Sequence, residues 1–289
     1  MRQETTLDKR NRGKCITDCD ITIRARDMLY PLLMQLTKTK VKCRVILENT
    51  YTPLPDRPIV FAANHSAFMD TPIMERVTKR RSYILSGRQS LPFVDWLFFA
   101  LIGSIWVDRK SGADMKASKD AIIEYLQKGQ SVLWFPEGTW NLTDNLLVMP
   151  LKWGIVEIAK QANAQIIPVV LRYDRAENIC QVKFGQPITD MQLENKVDAI
   201  RNLRDAMATL RWDLLSREKL YCHADIAIIR DENYRAVEEY PYYDFDYEQS
   251  CVYRPHDSYE DVFEHLRFLK PCKENAFLLR KQEGTLAIQ

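Results

Sequence analysis

The chain has 289 residues, 46% hydrophobic and 28% charged, which is enough for one large α/β domain or a smaller domain with an appendage. Its 41 basic and 39 acidic residues leave a net charge of +2, which gives no support to a nucleic-acid binder. The seven cysteines are odd in number and scattered without a CxxC pair, a pattern that argues against a secreted disulfide framework and a structural zinc site.

The N-terminal region is predicted to be a polar start followed by an amphipathic helix. Residues 1–14 are polar and lack the apolar core of a signal peptide, which indicates a reducing, cytoplasmic compartment. Residues 18–37 carry apolar side chains at helical spacing, and Pro31 is expected to kink or interrupt the helix. The predicted apolar side consists of Ile21, Met28, Leu29, Leu32, Leu33 and Leu36.

From residue 42 onward, strand patterns alternate with helix patterns. Strands are predicted at 42–49, 58–63, 82–87, 104–109, 131–136 and 165–172, with an edge strand at 181–188. Helices are predicted at 71–80, 91–101, 113–129, 152–163 and 190–219. The first of these is expected to use Thr71 as its N-cap and Pro72 as its first helical residue. This alternation predicts the α/β class, with a mostly parallel central sheet flanked by helices.

Residues 91–107 form the most apolar run, which is shorter than a membrane-spanning helix requires. Pro92, Asp95 and Gly103 interrupt it. The run can be a buried helix followed by a strand, or a patch that dips into one leaflet of a membrane. The length of the run favours the buried helix and strand.

The character of the chain changes after about residue 220, where the sequence becomes acidic and aromatic without a clear period. We therefore predict a main domain at 1–219 and a C-terminal extension at 220–289. The extension is expected to pack on the main domain through its tyrosines and phenylalanines.

Three predicted strands are followed directly by polar residues. Asn64 and His65 follow the strand at 58–63; Arg109 lies at the end of the strand at 104–109; and Glu137, Gly138 and Thr139 follow the strand at 131–136. Because the carboxyl ends of parallel strands lie on one edge of a sheet, these residues are expected to share a site.

His65 is followed by Asp70 five positions later. A histidine can take a proton near neutral pH, and a carboxylate can fix its tautomer and stabilise the charged ring. The spacing alone leaves open whether His65 is a catalytic base or a polar residue that ends a strand. Likewise, the 135–139 loop suits an anion or a polyol but also fits a plain loop, and Arg109 suits a phosphate or a surface ion pair.

Taken in chain order, these segments resemble the signature blocks of the PlsC-type glycerolipid acyltransferases, which include 1-acylglycerol-3-phosphate acyltransferases. The blocks are Asn64-His65 with Asp70, "GSIWVDR" at 103–109, "FPEGT" at 135–139 and "IIPVVL" at 166–171. "LKWG" at 151–154 resembles the Lys-x-Gly step between the last two blocks. The resemblance covers roughly residues 40–190, and these four ordered blocks form a specific signal.

The resemblance implies an O-acyltransferase that moves a fatty acyl group from a thioester to a lysophospholipid hydroxyl. His65 is then the general base and Asp70 its partner. The implied substrate-binding residues are Asn64, Arg109, Glu137, Gly138, Thr139 and Lys152. Acyl-CoA or acyl carrier protein would be the co-substrate, with no metal or other cofactor. The enzyme would attach peripherally to a membrane, and the resemblance favours the helix at 21–36 and the segment 91–107 as the parts that bind the surface and admit the acyl chain. A hydrolase and a non-catalytic membrane-binding protein remain as rival interpretations.

The sequence departs from the family pattern directly after "FPEGT". The family usually has a basic residue and then a serine there, whereas this chain has Trp140 and Asn141. The loss of a positive charge favours a glycolipid or aminolipid acceptor, unless Lys152 or Lys110 supplies the charge. The sequence leaves both alternatives open.

Overall fold

The fold is described from a computed structural model, for residues 20–87, 93–141, 147–189 and 195–217, and for residue 235. Apart from residue 235, the predicted extension at 220–289 lies outside these ranges, as do residues 1–19. The division of the chain into a main domain and an extension therefore stays a prediction.

The described residues form a helix–strand alternation that matches the predicted order. The helices are α1 (Asp20–Lys40), α2 (Asp70–Thr78), α3 (Phe93–Ile102), α4 (Gly112–Gln127), α5 (Gly154–Gln161) and α6 (Lys196–Ser216). The strands are β1 (Arg44–Leu47), β2 (Ile59–Ala63), β3 (Ser82–Gly87), β4 (Ser104–Val107), β5 (Ser131–Trp134), β6 (Gln165–Asp174) and β7 (Ile179–Phe184).

The seven strands form one sheet in the order β1-β7-β6-β2-β5-β3-β4. Strands β6, β2, β5, β3 and β4 are parallel to one another, and β7 is antiparallel to β6. The prediction of a mostly parallel sheet is confirmed. The prediction that 181–188 is an edge strand is wrong, because β1 pairs with the outer side of β7. Burial alternates along β7, as expected for a half-buried strand, but such a pattern does not indicate which strands lie beside it.

The hydrophobic core lies on both faces of the sheet. All five residues of β2 are buried, and they alternate between the faces: Val60 and Ala62 pack on one side, and Phe61 and Ala63 on the other. Helices α4, α5 and α6 cover the first face, and α1, α2 and α3 cover the second. Burial on both faces explains why the central strands are nearly continuous apolar runs.

The predicted N-cap of α2 is wrong. The helix begins at Asp70 and has Met69 as its N-cap, so Thr71 and Pro72 are its second and third residues. The backbone N–H of Asp70 donates to the Ala67 carbonyl at 3.1 Å, which extends the ordered turn back toward β2. Pro72 still lies in the first turn, where a missing N–H costs the helix no bond.

The two apolar segments with possible membrane roles differ in their burial. Pro31 lies inside the continuous helix α1, where Met28 is 77% exposed and Leu33 is buried. In α3, Phe98, Phe99 and Ile102 are buried and Asp95 and Leu101 are half-buried, which agrees with a buried helix at the described positions. None of the described helices is long and apolar enough to cross a membrane.

Candidate active site

The three polar strand ends meet at one edge of the sheet, as the parallel topology requires. The backbone N–H of His65 points at Glu137 Oε1 at 3.4 Å, and the N–H of Asn141 donates to the His65 carbonyl at 3.3 Å. The guanidinium of Arg109 donates to the carbonyl of Gly138. The loops after β2, β4 and β5 therefore form one site, although the chain separates them by up to 72 residues.

Asp70 holds His65 through a carboxylate whose position is fixed by the backbone. Its Oδ2 lies 2.7 Å from His65 Nδ1 and accepts the N–H groups of Ser66 at 2.7 Å and Ala67 at 2.9 Å. The side chain of Asp70 is fully buried, whereas that of His65 is 23% exposed. The turn after β2 thus brings the carboxylate back to the imidazole, as the HxxxxD spacing predicted.

Tyr173 completes the surroundings of Asp70 and was not predicted as a site residue. Its hydroxyl donates to Asp70 Oδ1 at 2.6 Å from near the end of β6. Burial, and next the negative charge of Asp70, raise the pKa of Tyr173 well above its ordinary value, so the phenol stays a donor. The position of Tyr173 near the end of β6 was a possible signal, because β6 neighbours β2 and ends at the same edge of the sheet. However, "LRYD" contains no motif that marks Tyr173 as a site residue.

The tautomer of His65 follows from its second ring contact. The indole Nε1–H of Trp140 donates to His65 Nε2 at 2.9 Å. An indole nitrogen can only donate, so Nε2 accepts, and the ring proton lies on Nδ1 and is donated to Asp70. The ring of Phe135 stacks on the imidazole with centroids 4.1 Å apart. His65 is therefore held as a neutral base whose accepting nitrogen faces away from Asp70.

Asn64 and Glu137 were predicted to bind substrate, and their polar atoms lie inside the protein. Asn64 is fully buried; its amide nitrogen donates to the Leu171 carbonyl at 3.1 Å, and its oxygen accepts the Leu171 N–H at 2.7 Å. Glu137 is fully buried and accepts the N–H of Met149 at 2.9 Å. These contacts tie the β2 and β5 loops to their neighbours, and a substrate contact of either residue stays a prediction.

Two buried arginines of α6 contact the segment that follows the Glu137 loop, and the sequence did not predict them as site residues. Arg204 donates to the Val148 carbonyl at 2.9 Å, and Arg211 donates to the Leu147 carbonyl at 3.2 Å. Burial lowers the pKa of Arg204 to about 10, and the nearby charge of Glu137 opposes the shift. Burial raises the pKa of Glu137, and the positive charge of Arg211 opposes that shift. In the sequence these arginines look like ordinary charges of an amphipathic helix.

The remaining predicted residues surround Gly138. Its φ of +83° is a left-handed conformation that favours glycine. A Cβ at this position would lie 3.5 Å from Lys152 Cε, and Arg109 donates to the Gly138 carbonyl. Thr139 is buried beside it. Two cationic side chains therefore flank the "EGT" turn, a chemistry suited to an anionic group.

Comparison with known proteins shows which acyltransferases the chain is similar to. Residues 43–172 match the family model described as Acyltransferase. A 1-acyl-sn-glycerol-3-phosphate acyltransferase of Saccharomyces cerevisiae is 30% identical over 135 residues, which cover 46% of this chain and 44% of that protein. The alpha form from Homo sapiens is 28% identical over 210 residues, covering 65% of this chain and 72% of that protein. The crystal structure of PlsC from Thermotoga maritima aligns with a TM-score of 0.55 at 17% identity, covering 68% of this chain and 84% of that one.

The match to the acyltransferase family model covers residues 43–172, slightly less than half of the chain. This match and the similar proteins confirm the predicted resemblance to the PlsC-type acyltransferases. The structural likeness at 17% identity supports the fold. The chain spans 44%, 35% and 47% of the length of the yeast, Chlamydomonas reinhardtii and Neisseria gonorrhoeae relatives, less than half in each case.

Proposed function

We propose that this protein is an O-acyltransferase that moves a fatty acyl group from a thioester to a lysophospholipid hydroxyl, with His65 as general base. The observation that carries the proposal is the His65–Asp70 pair, with Nδ1 and Oδ2 2.7 Å apart at the edge of the sheet. The Trp140 N–H that donates to Nε2 supports a ring proton on Nδ1. This arrangement leaves Nε2 as the nitrogen that can take a proton from a hydroxyl. The names of the similar proteins support the same class of reaction.

The reaction proceeds by direct transfer. The acceptor hydroxyl gives its proton to His65 Nε2 while its oxygen attacks the thioester carbonyl carbon. Asp70 stabilises the imidazolium that forms, because its buried carboxylate is already hydrogen-bonded to Nδ1. When the carbon–sulfur bond breaks, the imidazolium returns the proton to the leaving thiolate. The route needs no acyl-enzyme, metal or cofactor; acyl-CoA or acyl carrier protein acts as the donor.

A phosphate-bearing acceptor such as 1-acylglycerol-3-phosphate agrees with the charges around Gly138. Arg109 and Lys152 flank this turn, whereas Lys110 is exposed. The guanidinium of Arg109 can bind a phosphate through two donors at once. We therefore assign the acceptor phosphate to Arg109 and Lys152, with Thr139 and the Gly138 turn beside them.

A second acceptor class is favoured by one observation. Trp140 and Asn141 replace the basic residue and serine of the family pattern, and both are buried, with Trp140 in direct contact with His65. The position after "FPEGT" thus lies in the site and carries no charge. A glycolipid or aminolipid acceptor is the alternative that follows from this substitution.

Contact with a membrane surface is part of the proposal, because both substrates are amphiphiles. On α1, Met28 is 77% and Leu32 is 56% exposed, an unusual exposure for large apolar side chains. We propose that this side of α1 lies in the membrane interface and attaches the protein peripherally. Replacing Leu29 and Leu32 by serine should reduce sedimentation with phospholipid vesicles, and equal sedimentation of the variant would contradict this role.

The test of the proposed function is an acyl-transfer assay with labelled long-chain acyl-CoA. The acceptors are lysophosphatidate, other lysolipids, and glycolipid and aminolipid head groups, with acyl carrier protein as a second donor. Transfer to lysophosphatidate supports the phosphate acceptor, and transfer only to uncharged or amine acceptors supports the alternative. Release of free fatty acid without any acceptor points to a hydrolase. An absence of turnover with either donor would contradict the proposed enzymatic function and favour a non-catalytic membrane-binding protein.

A further inference from the structure

The base nitrogen of His65 is occupied by a side chain of its own site. The indole of Trp140 is 5% exposed and donates its N–H to Nε2 at 2.9 Å. Its ring meets the imidazole edge-on, with centroids 5.5 Å apart and planes at 65°. Phe135 covers the face of the imidazole. The ring is thus held on a face by Phe135, at Nδ1 by Asp70 and at Nε2 by Trp140.

The Trp140 contact competes with the proposed chemistry. A neutral imidazole has one lone pair in the ring plane, on the nitrogen without a proton. Trp140 and an acceptor hydroxyl cannot both donate to that lone pair along the same line. The proton transfer that begins acyl transfer therefore requires Trp140 to leave Nε2.

We infer that Trp140 acts as a latch on the general base. Its indole N–H occupies His65 Nε2 until the lipid acceptor displaces the indole, and this occupation suppresses hydrolysis of the acyl thioester. The inference rests on the proposed function. A lipid acceptor brings a hydroxyl together with a chain and a head group that can displace the indole, whereas a water molecule brings a hydroxyl alone. Trp140 then discriminates between the two nucleophiles and is a specificity-determining residue.

The suppressed reaction is an ordinary hydrolysis. A water O–H would give its proton to His65 Nε2 while its oxygen forms a bond to the thioester carbonyl carbon. The carbon–sulfur bond then breaks, and the thiolate takes the proton from the imidazolium. The products are a free fatty acid and a free thiol. These reaction steps differ from the proposed transfer only in the nucleophile. A site open to water would therefore hydrolyse the acyl thioester without forming a lipid product.

The position of the latch explains why the residue after "FPEGT" is an aromatic donor here. An indole has one N–H on a rigid side chain with two torsions, so it holds one direction of donation at small entropic cost. The indole is buried, so its N–H donates to Nε2 away from solvent. A basic residue at the same position would bring a charge to the acceptor instead.

The first test replaces Trp140 by phenylalanine and measures thiol release from acyl-CoA without any acceptor. A lost hydrogen bond between neutral groups corresponds to roughly a threefold to tenfold change in rate. Trp140→Phe should therefore raise acceptor-independent thiol release by that factor or more, and adding His65→Ala should abolish the rise. Trp153→Phe is the matched control, because it makes the same chemical change at a different, half-exposed indole. The Lys196 ammonium lies over the ring of Trp153.

A second variant separates the N–H from the volume of the ring. Trp140 is replaced by β-(3-benzothienyl)alanine, in which sulfur takes the place of the indole N–H at nearly the same size. Both Trp140 variants should react faster at His65 with diethyl pyrocarbonate, read by mass spectrometry of the His65 peptide, because this reagent attacks an unoccupied imidazole nitrogen. This labelling does not depend on any acyl acceptor.

The outcomes distinguish the latch from the proposed function. Faster labelling and faster hydrolysis in both Trp140 variants support the latch. Unchanged labelling and hydrolysis in both overturn it, while transfer by the wild-type protein leaves the acyltransferase assignment standing. An increase in the phenylalanine variant alone also overturns it, because the effect then belongs to ring volume. If labelling rises but no variant transfers or hydrolyses acyl groups, the proposed function and the latch fail together, and only the hydrogen bond remains.

Discussion

Replacing Asp70 by asparagine tests the charge of the His65–Asp70 pair without disturbing its geometry. Two backbone N–H groups, those of Ser66 and Ala67, point at Oδ2. The amide oxygen of the asparagine must therefore take the Oδ2 position, and its NH2 group faces the hydroxyl of Tyr173, which can accept. His65 Nδ1–H still has an acceptor, so Asp70→Asn keeps the tautomer and loses only the negative charge.

The expected loss follows from the charge separation. In the transition state the imidazolium and the carboxylate lie with their centres about 4 Å apart, which at an effective dielectric constant of about 20 corresponds to roughly 4 kcal/mol. Losing that attraction lowers kcat by about 10³-fold. The KM for the acceptor should change little, because Asp70 is fully buried and cannot touch it.

The assay is steady-state acyl transfer from acyl-CoA, run beside thermal unfolding of the same samples. Asp213→Asn is the control, since Asp213 makes its ion pairs with Lys183 and Arg217 on the outside of α6. The control should transfer acyl groups at the wild-type rate. A fall in kcat of less than tenfold in folded Asp70→Asn would refute the reasoning, because it would mean that no imidazolium forms beside this carboxylate.

Three further predictions concern the surroundings of the pair. Tyr173→Phe removes a 2.6 Å hydrogen bond to Asp70 and should lower the free energy of unfolding by about 1.5–3 kcal/mol. The kcat should fall by less than tenfold, because Oδ2 keeps its three donors, and a fall of more than tenfold would contradict this. Gly138→Ala should cost about 1–2 kcal/mol of stability, since φ is +83°, and should raise the KM for the acceptor; an unchanged melting temperature and KM would be inconsistent with the turn's role. Burial raises the pKa of Glu137 above 4.5, so its contribution to stability is present below pH 4.5 and is lost as the pH rises through the folded pKa. The unfolding free energy of the wild-type protein should therefore fall relative to that of Glu137→Gln as the pH rises above about 4.5, and a relative gain would show the opposite sign.

The sheet could be predicted from the sequence because its strands are short apolar runs bounded by clear helix patterns. Residues 58–63 and 82–87 were placed correctly at β2 and β3. The neighbours of β7 could not be predicted. An edge strand and a strand whose outer side pairs with a short strand show the same alternation of buried and exposed residues. The start of α2 was missed because Thr71-Pro72 looks like a cap. The true start depends on a turn that the Asp70 carboxylate closes by accepting the N–H groups of Ser66 and Ala67.

The proximity of the candidate residues could be predicted where they share a strand end. The parallel topology placed His65 and Glu137 at one edge of the sheet, and their contact agrees with that placement, while their roles stay predictions. Tyr173 and Arg211 were not found, because their roles depend on a register between β6 and β2 and on the packing of α6, and neither leaves a local pattern. The burial of the predicted substrate-binding residue Asn64 could not be predicted either, since polar residues at strand ends are usually solvated.

The most direct test of the central claim compares the wild-type protein with His65→Ala in acyl transfer from labelled acyl-CoA to the acceptor that the wild-type protein uses. A general base contributes about 10²–10⁴-fold to a rate, so the variant should lose at least a hundredfold in kcat while its melting temperature stays near that of the wild-type protein. A folded His65→Ala that retains more than a tenth of the wild-type kcat would contradict the assignment of His65 as the base of an acyltransferase.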